Sequence, residues 1–258
     1  MGPEQAIHRS ILAMDIEGFS TRANPVQRSL RSALYELARA AAADAGLEWQ
    51  GFGVQDAGDS ILLFIEPTVP PAQLAGPYLR ALVDRLAERT RQVSAEYTMR
   101  LRIALHHGLV DADGHGWCGD AVNLTARLLD ADTLRQVLKA AGRAQLVFIV
   151  SDGLYRDVIR HQYRAIDTAA YRSVSFDVKQ QHGIVGWVYV PGYPSPPGLG
   201  GEAREQSPPA GPGPQRPSTP AFPAVPSGGF SFTNNGTVNG GVAQVKNVYG
   251  DEREGFAP

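Results

Sequence analysis

Asp15 follows the apolar run Ile11, Leu12, Ala13 and Met14 and precedes "IEGFS", so a carboxylate stands at the end of what reads as a buried strand. Burying a charge there is costly unless a cation or hydrogen bonds compensate it. Asp59 sits in the turn "DAGD" of a later hairpin, and in a sheet those two ends can lie side by side. Two carboxylates held together repel each other, which raises one pKa unless cations sit between them. A pair of Mg2+ or Mn2+ ions resolves the repulsion. The ions also clamp a triphosphate, one activating a hydroxyl and both bridging phosphate oxygens. The tight turn at Gly18, followed by Phe19, presents successive backbone N–H groups that could cradle phosphates as a nest does. Taken singly, each aspartate reads first as a turn former, as Asp beside Gly commonly is.

The second constellation is "GDAVNLTAR", residues 119–127. Asn123 and Arg127 are four apart on a predicted helix and project from one face about a turn from each other. An amide that orients a ribose beside a guanidinium that neutralises charge on a phosphorane suits in-line phosphoryl transfer. In isolation the pair reads as a solvated Asn and a surface Arg on an amphipathic helix. His106 and His107 are neighbours on a predicted strand and point to opposite faces, so they cannot chelate jointly. One of them reads as a satisfied core or interface histidine. Trp117 reads as packing beneath the helix, with base stacking as the other use of its ring.

The elements that must position these groups alternate between strand and helix. Strands are predicted over 8–14, 47–55, 60–66, 98–110, 145–150, 171–179 and 184–190. Helices are predicted over 26–45, 71–93, 120–130, 132–141 and 152–161, with Asn24-Pro25 as N-cap and first position of the first and Ser151 capping the last. Hairpins without strict βαβ alternation argue for an α+β sandwich, with helices packed on a mostly antiparallel sheet.

Composition narrows the function classes. The 258 residues carry a formal net charge of −2 and are 43% hydrophobic, with the basic residues scattered, so no nucleic-acid partner is expected. The single cysteine, Cys118, excludes an intramolecular disulfide and a cysteine zinc cage. No signal peptide and no membrane-length apolar run is read, which predicts a cytoplasmic protein without a membrane partner. Composition changes near residue 191. Residues 1–190 read as the folded unit, 191–229 as a Pro/Gly-rich disordered linker, and 230–258 as a separate terminal segment.

Order and spacing together carry more than any one motif. "MDIEGFS", "DAGDSILLF", "LRIALHHGLV" and "GDAVNLTARLLD", with "VSFDVKQQHGIVGWVYV" as a weaker terminal match, resemble the class III adenylate/guanylate cyclase catalytic domain over about residues 8–190. The resemblance implies a ferredoxin-like sandwich and a head-to-tail homodimer with active sites at the interface. Asp15, Ile16 and Asp59 of one protomer would hold two Mg2+ or Mn2+ ions, with Gly18 and Phe19 at the phosphates. Asn123 and Arg127 of the other would orient the ribose and stabilise the transition state. Lys179 stands where the family's late "V-K-G" lysine touches the triphosphate, although Gln180 replaces the glycine.

The base-reading positions depart from the family. Its lysine four residues before the second metal aspartate is Gln55 here, and its aspartate seven before the asparagine is Gly116. Guanylate cyclases place Glu and Cys there, and Cys118 is out of register by two. An amide carries donor and acceptor and can pair with almost any base edge. The base therefore stays open, with UTP and CTP as eligible as ATP and GTP, because bacterial pyrimidine cyclases of antiphage signalling systems look similar in changing these readers. The implied product is a 3′,5′-cyclic nucleotide acting as a second messenger.

Residues 234–251, "NNGTVNGGVAQVKNVYGD", lack proline and are poor in charge, the composition of segments that stack with copies of themselves. They resemble bacterial amyloid signalling motifs, with "AQVK" departing from the usual core, and a polar disordered tail is the plainer alternative. A homotypic partner recruited there gives the competing functional class: a catalytically silent cyclase-like dimer acting as a signalling adaptor.

Overall fold

The computed structural model describes residues 6–112, 116–178, 181–199, 237–238 and 241–242. Lys179, most of the linker and most of the terminal segment lie outside these residues. The chain divides into two units, Met1–Glu205 and Gln206–Pro258. In the second, strands β9 (Thr237–Val238) and β10 (Gly241–Val242) pair antiparallel.

The first unit is an α+β sandwich built on one sheet. Its strands are β1 (Ile7–Ile16), β2 (Phe52–Asp56), β3 (Ser60–Ile65), β4 (Leu101–Ala112), β5 (Trp117–Cys118), β6 (Leu146–Ser151), β7 (Arg172–Val178) and β8 (Gln181–Tyr189). The order is β2-β3-β1-β4-β6-β8-β7, with β5 added to the end of β4. Only β4 and β6 run parallel, so the sheet is mostly antiparallel as its hairpins predict. Helices α1 (Asn24–Asp44), α2 (Pro71–Gln73), α3 (Leu79–Gln92), α4 (Asp120–Asp130), α5 (Asp132–Ala140) and α6 (Asp152–Asp157) join them.

Alternation along β1 divides the core in two. Leu12, Met14 and Ile16 face one cluster with Leu30, Leu34, Leu82 and Leu86 of α1 and α3. Ile11 and Ala13 face the other, with Leu128, Leu134 and Leu138 of α4 and α5. With a period of two, Asp15 belongs to the second face, the one that carries α4.

Several predicted boundaries shift for local reasons. Asn24 is the first residue of α1 rather than its cap, a position taken by Ala23 with no side-chain hydrogen bond. The strand predicted from residue 47 starts at Phe52, because the Leu47 N–H still closes α1 through Ala42 O at 2.8 Å. The single helix expected over 71–93 is interrupted by a π-helical stretch, Leu74–Tyr78, that contains Pro77. Proline has no N–H to continue an α-helical ladder, and widening the turn accommodates it. Ser151 does cap α6, its Oγ accepting from Leu154 N at 3.2 Å. Among the described residues, no helix is long and apolar enough to cross a membrane.

Candidate active site

The backbones of the two aspartates run side by side. Asp15 lies opposite Ser60 on β3 and Arg102 on β4. Asp59 immediately precedes Ser60, and its carbonyl accepts from Ile16 N at 3.2 Å. Asp15 is only 7% exposed. Burial raises its pKa, Arg102 works against that rise, and the negative charges of Asp59 and Asp130 add to it. A desolvated carboxylate beside a second one is a site that gains from a cation.

Arg102 is the residue that motif reasoning did not single out. Its Nε donates to Asp15 Oδ2 at 3.0 Å and Nη2 makes a second, short contact to the same oxygen. Its Nη1 is buried with no hydrogen-bond partner among the described residues. The "R-I" of the β4 motif and the antiparallel pairing of β1 with β4 together held this information, but only the register puts Arg102 opposite Asp15.

Neighbouring acids are otherwise committed. Glu17 pairs with Arg100 at 3.1 Å. Asp56 Oδ2 accepts from Arg31 Nε at 3.2 Å and from the Tyr35 hydroxyl, while Oδ1 accepts from Gly58 N at 2.9 Å. These donors hold the Asp56 carboxyl down at about 2. Asp59 has no side-chain partner among the described residues. It lines a cavity of about 400 Å³ with Phe19, Arg28 and Arg31, the last two from α1. Gly18 has φ +65°, and the turn it opens places Phe19 at this cavity. A larger cavity, about 570 Å³ near Gly76, Tyr171 and Tyr189, contains none of the predicted site residues.

The donor set fits hard divalent cations. Two carboxylates suit Mg2+ or Mn2+, which commonly keep remaining positions for water and substrate phosphate. Among the described residues no group of three or more His, Cys, Asp or Glu could cage an ion without such help.

Helix α4 buries Ala121, Thr125, Leu128 and Leu129. At 100° per residue this stripe leaves Asn123 and Arg127 together on the outward flank. Asn123 is exposed and Arg127 half-buried, so α4 offers an amide and a guanidinium away from its own core. Val122 is partly buried and packs against the cluster that holds Leu128 and Leu129. The close approach of α4 to the sheet depends on Gly108, where a Cβ would lie 2.8 Å from that of Ala121.

Gln55 and Gly116, the two positions at which base readers were expected, lie side by side. Gln55 Oε1 accepts from Trp117 N at 2.9 Å, and a Cβ on Gly116 would stand 2.8 Å from that oxygen. Trp117 itself packs: its ring stacks on Phe64 at 4.9 Å between centroids and Arg9 sits over it at 5.7 Å. Gly53 leaves room for it, since a Cβ there would be 3.0 Å from the indole nitrogen. The histidines are structural. His106 Nδ1 lies 2.7 Å from Ser151 Oγ, and burial lowers its pKa to about 4. His107 Nε2 is 3.2 Å from Asp157.

No family model matches the chain, and no curated protein matches it. Solved structures do. An adenylate/guanylate cyclase/hydrolase from Silicibacter pomeroyi is similar at 22% identity and a TM-score of 0.51, over 72% of this chain and 98% of that one. The guanylyl cyclase Cya2 is similar at 16% identity and a TM-score of 0.51, over 72% of this chain and 93% of that one. The chain therefore has the fold of these cyclases.

Proposed function

We propose that the chain is a nucleotidyl cyclase that converts a nucleoside triphosphate to its 3′,5′-cyclic monophosphate and pyrophosphate. The observation that carries this reading is Asp15, buried at the end of β1 and charge-coupled to Asp59. The fold shared with solved cyclases and the outward Asn123 and Arg127 support it.

Asp15, Asp59 and the Ile16 carbonyl would hold two Mg2+ or Mn2+ ions, which when bound acidify the ribose 3′-hydroxyl and neutralise phosphate charge. Before the substrate arrives, Arg102 holds Asp15 in place and favours its ionised form against the effect of burial. Its spare Nη1 donor is then available for a phosphate oxygen, which would share Arg102 with Asp15. Phe19 and Gly18 line the phosphate side, and Lys179 would approach the same group. Asn123 orients the ribose by its amide. Arg127 stabilises the charge that builds on the equatorial phosphoryl oxygens as the 3′-oxygen attacks and pyrophosphate leaves. In a head-to-tail homodimer Asn123 and Arg127 would serve the carboxylates of the partner. The homodimer thus forms two composite sites, each with the carboxylates of one protomer and the α4 pair of its partner. The cyclic nucleotide would act as a second messenger, in keeping with a role in antiphage signalling.

Two variants test the composite arrangement. Asp15→Ala and Arg127→Ala should each be inactive with Mn2+ and any of the four common triphosphates. Mixed heterodimers should recover activity through one intact site, about a quarter of the wild-type rate if exchange is statistical. Wild-type activity with no recovery on mixing would overturn the shared geometry, and no cyclic product from any triphosphate would overturn the cyclase reading.

A further inference from the structure

We infer that the cavity of about 570 Å³ beside Tyr171 and Tyr189 is a binding site for a small aromatic amine in its ammonium form. The site is separate from the proposed catalytic one. Leu79, Ile166 and Tyr171 belong to the core cluster that holds α1 and α3, whereas Asp15 belongs to the opposite face of the sheet. The volume falls among those of ligand pockets, about 300–1,000 Å³.

One wall is aromatic. The Tyr171 and Tyr189 rings stack at 5.0 Å between centroids, with 17° between their planes. Tyr171 is only 3% exposed, yet its hydroxyl makes no hydrogen bond among the described residues. A buried tyrosine usually finds a partner for its hydroxyl, because leaving it unpaired is costly. Tyr171 lines the cavity, so a polar group on a ligand there can complete it. Charge selects the kind of ligand. The charged lining residues are Arg80, Asp84 and Asp167. Arg80 Nε lies 3.7 Å from Asp84 Oδ2, which leaves Asp167 as the uncompensated charge. One Asp167 oxygen accepts from Ala169 N at 3.1 Å, and the other makes no hydrogen bond among the described residues. Burial, with Asp167 adding to it, pushes the hydroxyls of Tyr171 and Tyr189 up, so both stay protonated and the tyrosines bring no charge of their own. A tyrosine face and a carboxylate attract the same thing, a cation. An ammonium would donate to Asp167 and to the Tyr171 oxygen, while an aryl body covers Leu79, Val83 and Ile166.

The walls are braced. The π-helical stretch Leu74–Tyr78 brings Gly76 so close to its neighbour that a Cβ there would stand 2.8 Å from Arg164 O. Ala165 then takes the left-handed region at φ +66°, uncommon for a residue with a Cβ, and Ile166 and Asp167 follow it at the cavity. Thr168 Oγ1 donates to Ile159 O at 2.9 Å and ties down the far end of this loop. A widened helical turn and a costly backbone conformation on two sides of one cavity are features that collect at functional sites.

The test uses full-length protein without triphosphate or divalent metal, and fluorine NMR of three probes of similar size. These are para-fluorophenethylamine, para-fluorophenylacetate and para-fluorobenzyl alcohol: a cation, an anion and a neutral molecule. At neutral pH the amine should bind about tenfold or more tightly than the acid. Asp167→Asn keeps the acceptor for Ala169 N and removes the charge, so the amine should fall to the affinity of the alcohol. Tyr171→Phe removes only the hydroxyl and should weaken the amine by about five- to tenfold. Because that hydroxyl bonds nothing in the protein, the thermal midpoint of Tyr171→Phe should not fall. No binding of the amine at millimolar concentration, equal affinity for amine and acid, or an amine affinity unchanged in both variants overturns the inference. A clear drop in the Tyr171→Phe midpoint also overturns it, since the hydroxyl would then have a partner within the protein. Cyclic-product formation is not the readout, so either result leaves the cyclase reading standing.

Discussion

Removing Arg102 tests the electrostatic core of the site. Arg102→Met keeps much of the side-chain volume and deletes the guanidinium that compensates Asp15. The pair is nearly dry, with side-chain exposures of 12% for Arg102 and 9% for Asp15. Breaking a buried pair by removing one member costs about 3–5 kcal/mol, against about 0–1 kcal/mol for an exposed one. Burial already outweighs Arg102 in setting the Asp15 pKa, so the variant should push that carboxyl further up. At neutral pH part of the cost is then escaped by protonation, and a loss of about 2–4 kcal/mol is expected. Asp15→Asn should cost less, because the amide still accepts from Arg102. The double variant, Asp15→Asn combined with Arg102→Met, should be more stable than the sum of the singles implies, with a coupling of about 1.5 kcal/mol or more. Urea unfolding at neutral pH without divalent cations measures all four corners of this cycle. Additive effects, each below about 1 kcal/mol, would refute the claim that the pair is a desolvated unit.

Gly108→Ala should force α4 off β4, because the new Cβ would meet Ala121 Cβ at 2.8 Å; a loss of about 1–3 kcal/mol in thermal unfolding and a fall in cyclic-product formation of about 10²-fold are expected, since Asn123 and Arg127 move with the helix. His106 has its pKa lowered from 6.5 to about 4, so it lends stability that is complete above its unfolded pKa and lost as pH falls through the window from about 6.5 to 4. His106→Gln should flatten the pH dependence of unfolding free energy in that window, and an unchanged slope there would contradict the assignment. Asp56, held down at about 2, contributes stability present above the unfolded carboxylate value of 3.8 and lost as pH falls toward 2. Asp56→Asn should therefore weaken the wild-type advantage between those values, with the effect reduced by salt because the pair with Arg31 is partly exposed. Asp15 has the opposite sign: its raised carboxyl makes stability fall as pH rises through its pKa, and Mn2+ affinity measured by calorimetry should rise over the same range.

Much of this protein was legible without coordinates because it depends on local rules. The apolar runs in "RSILAMD" and "SILLFIE" mark strands, the "DAGD" turn joins two of them, and the four-residue spacing of Asn123 and Arg127 places both on one helix face. Local rules also mark Asp15 and Asp59 as carboxylates at strand ends. Tertiary structure decided what surrounds them. Register alone sets Arg102 opposite Asp15, since a slip of one residue would turn the guanidinium to the other face of the sheet. Most clearly, the sequence left Gln55 with both a donor and an acceptor to offer. A backbone N–H sixty-two residues away occupies the acceptor, because hydrogen bonding between distant strands fixes atoms that no local pattern can orient.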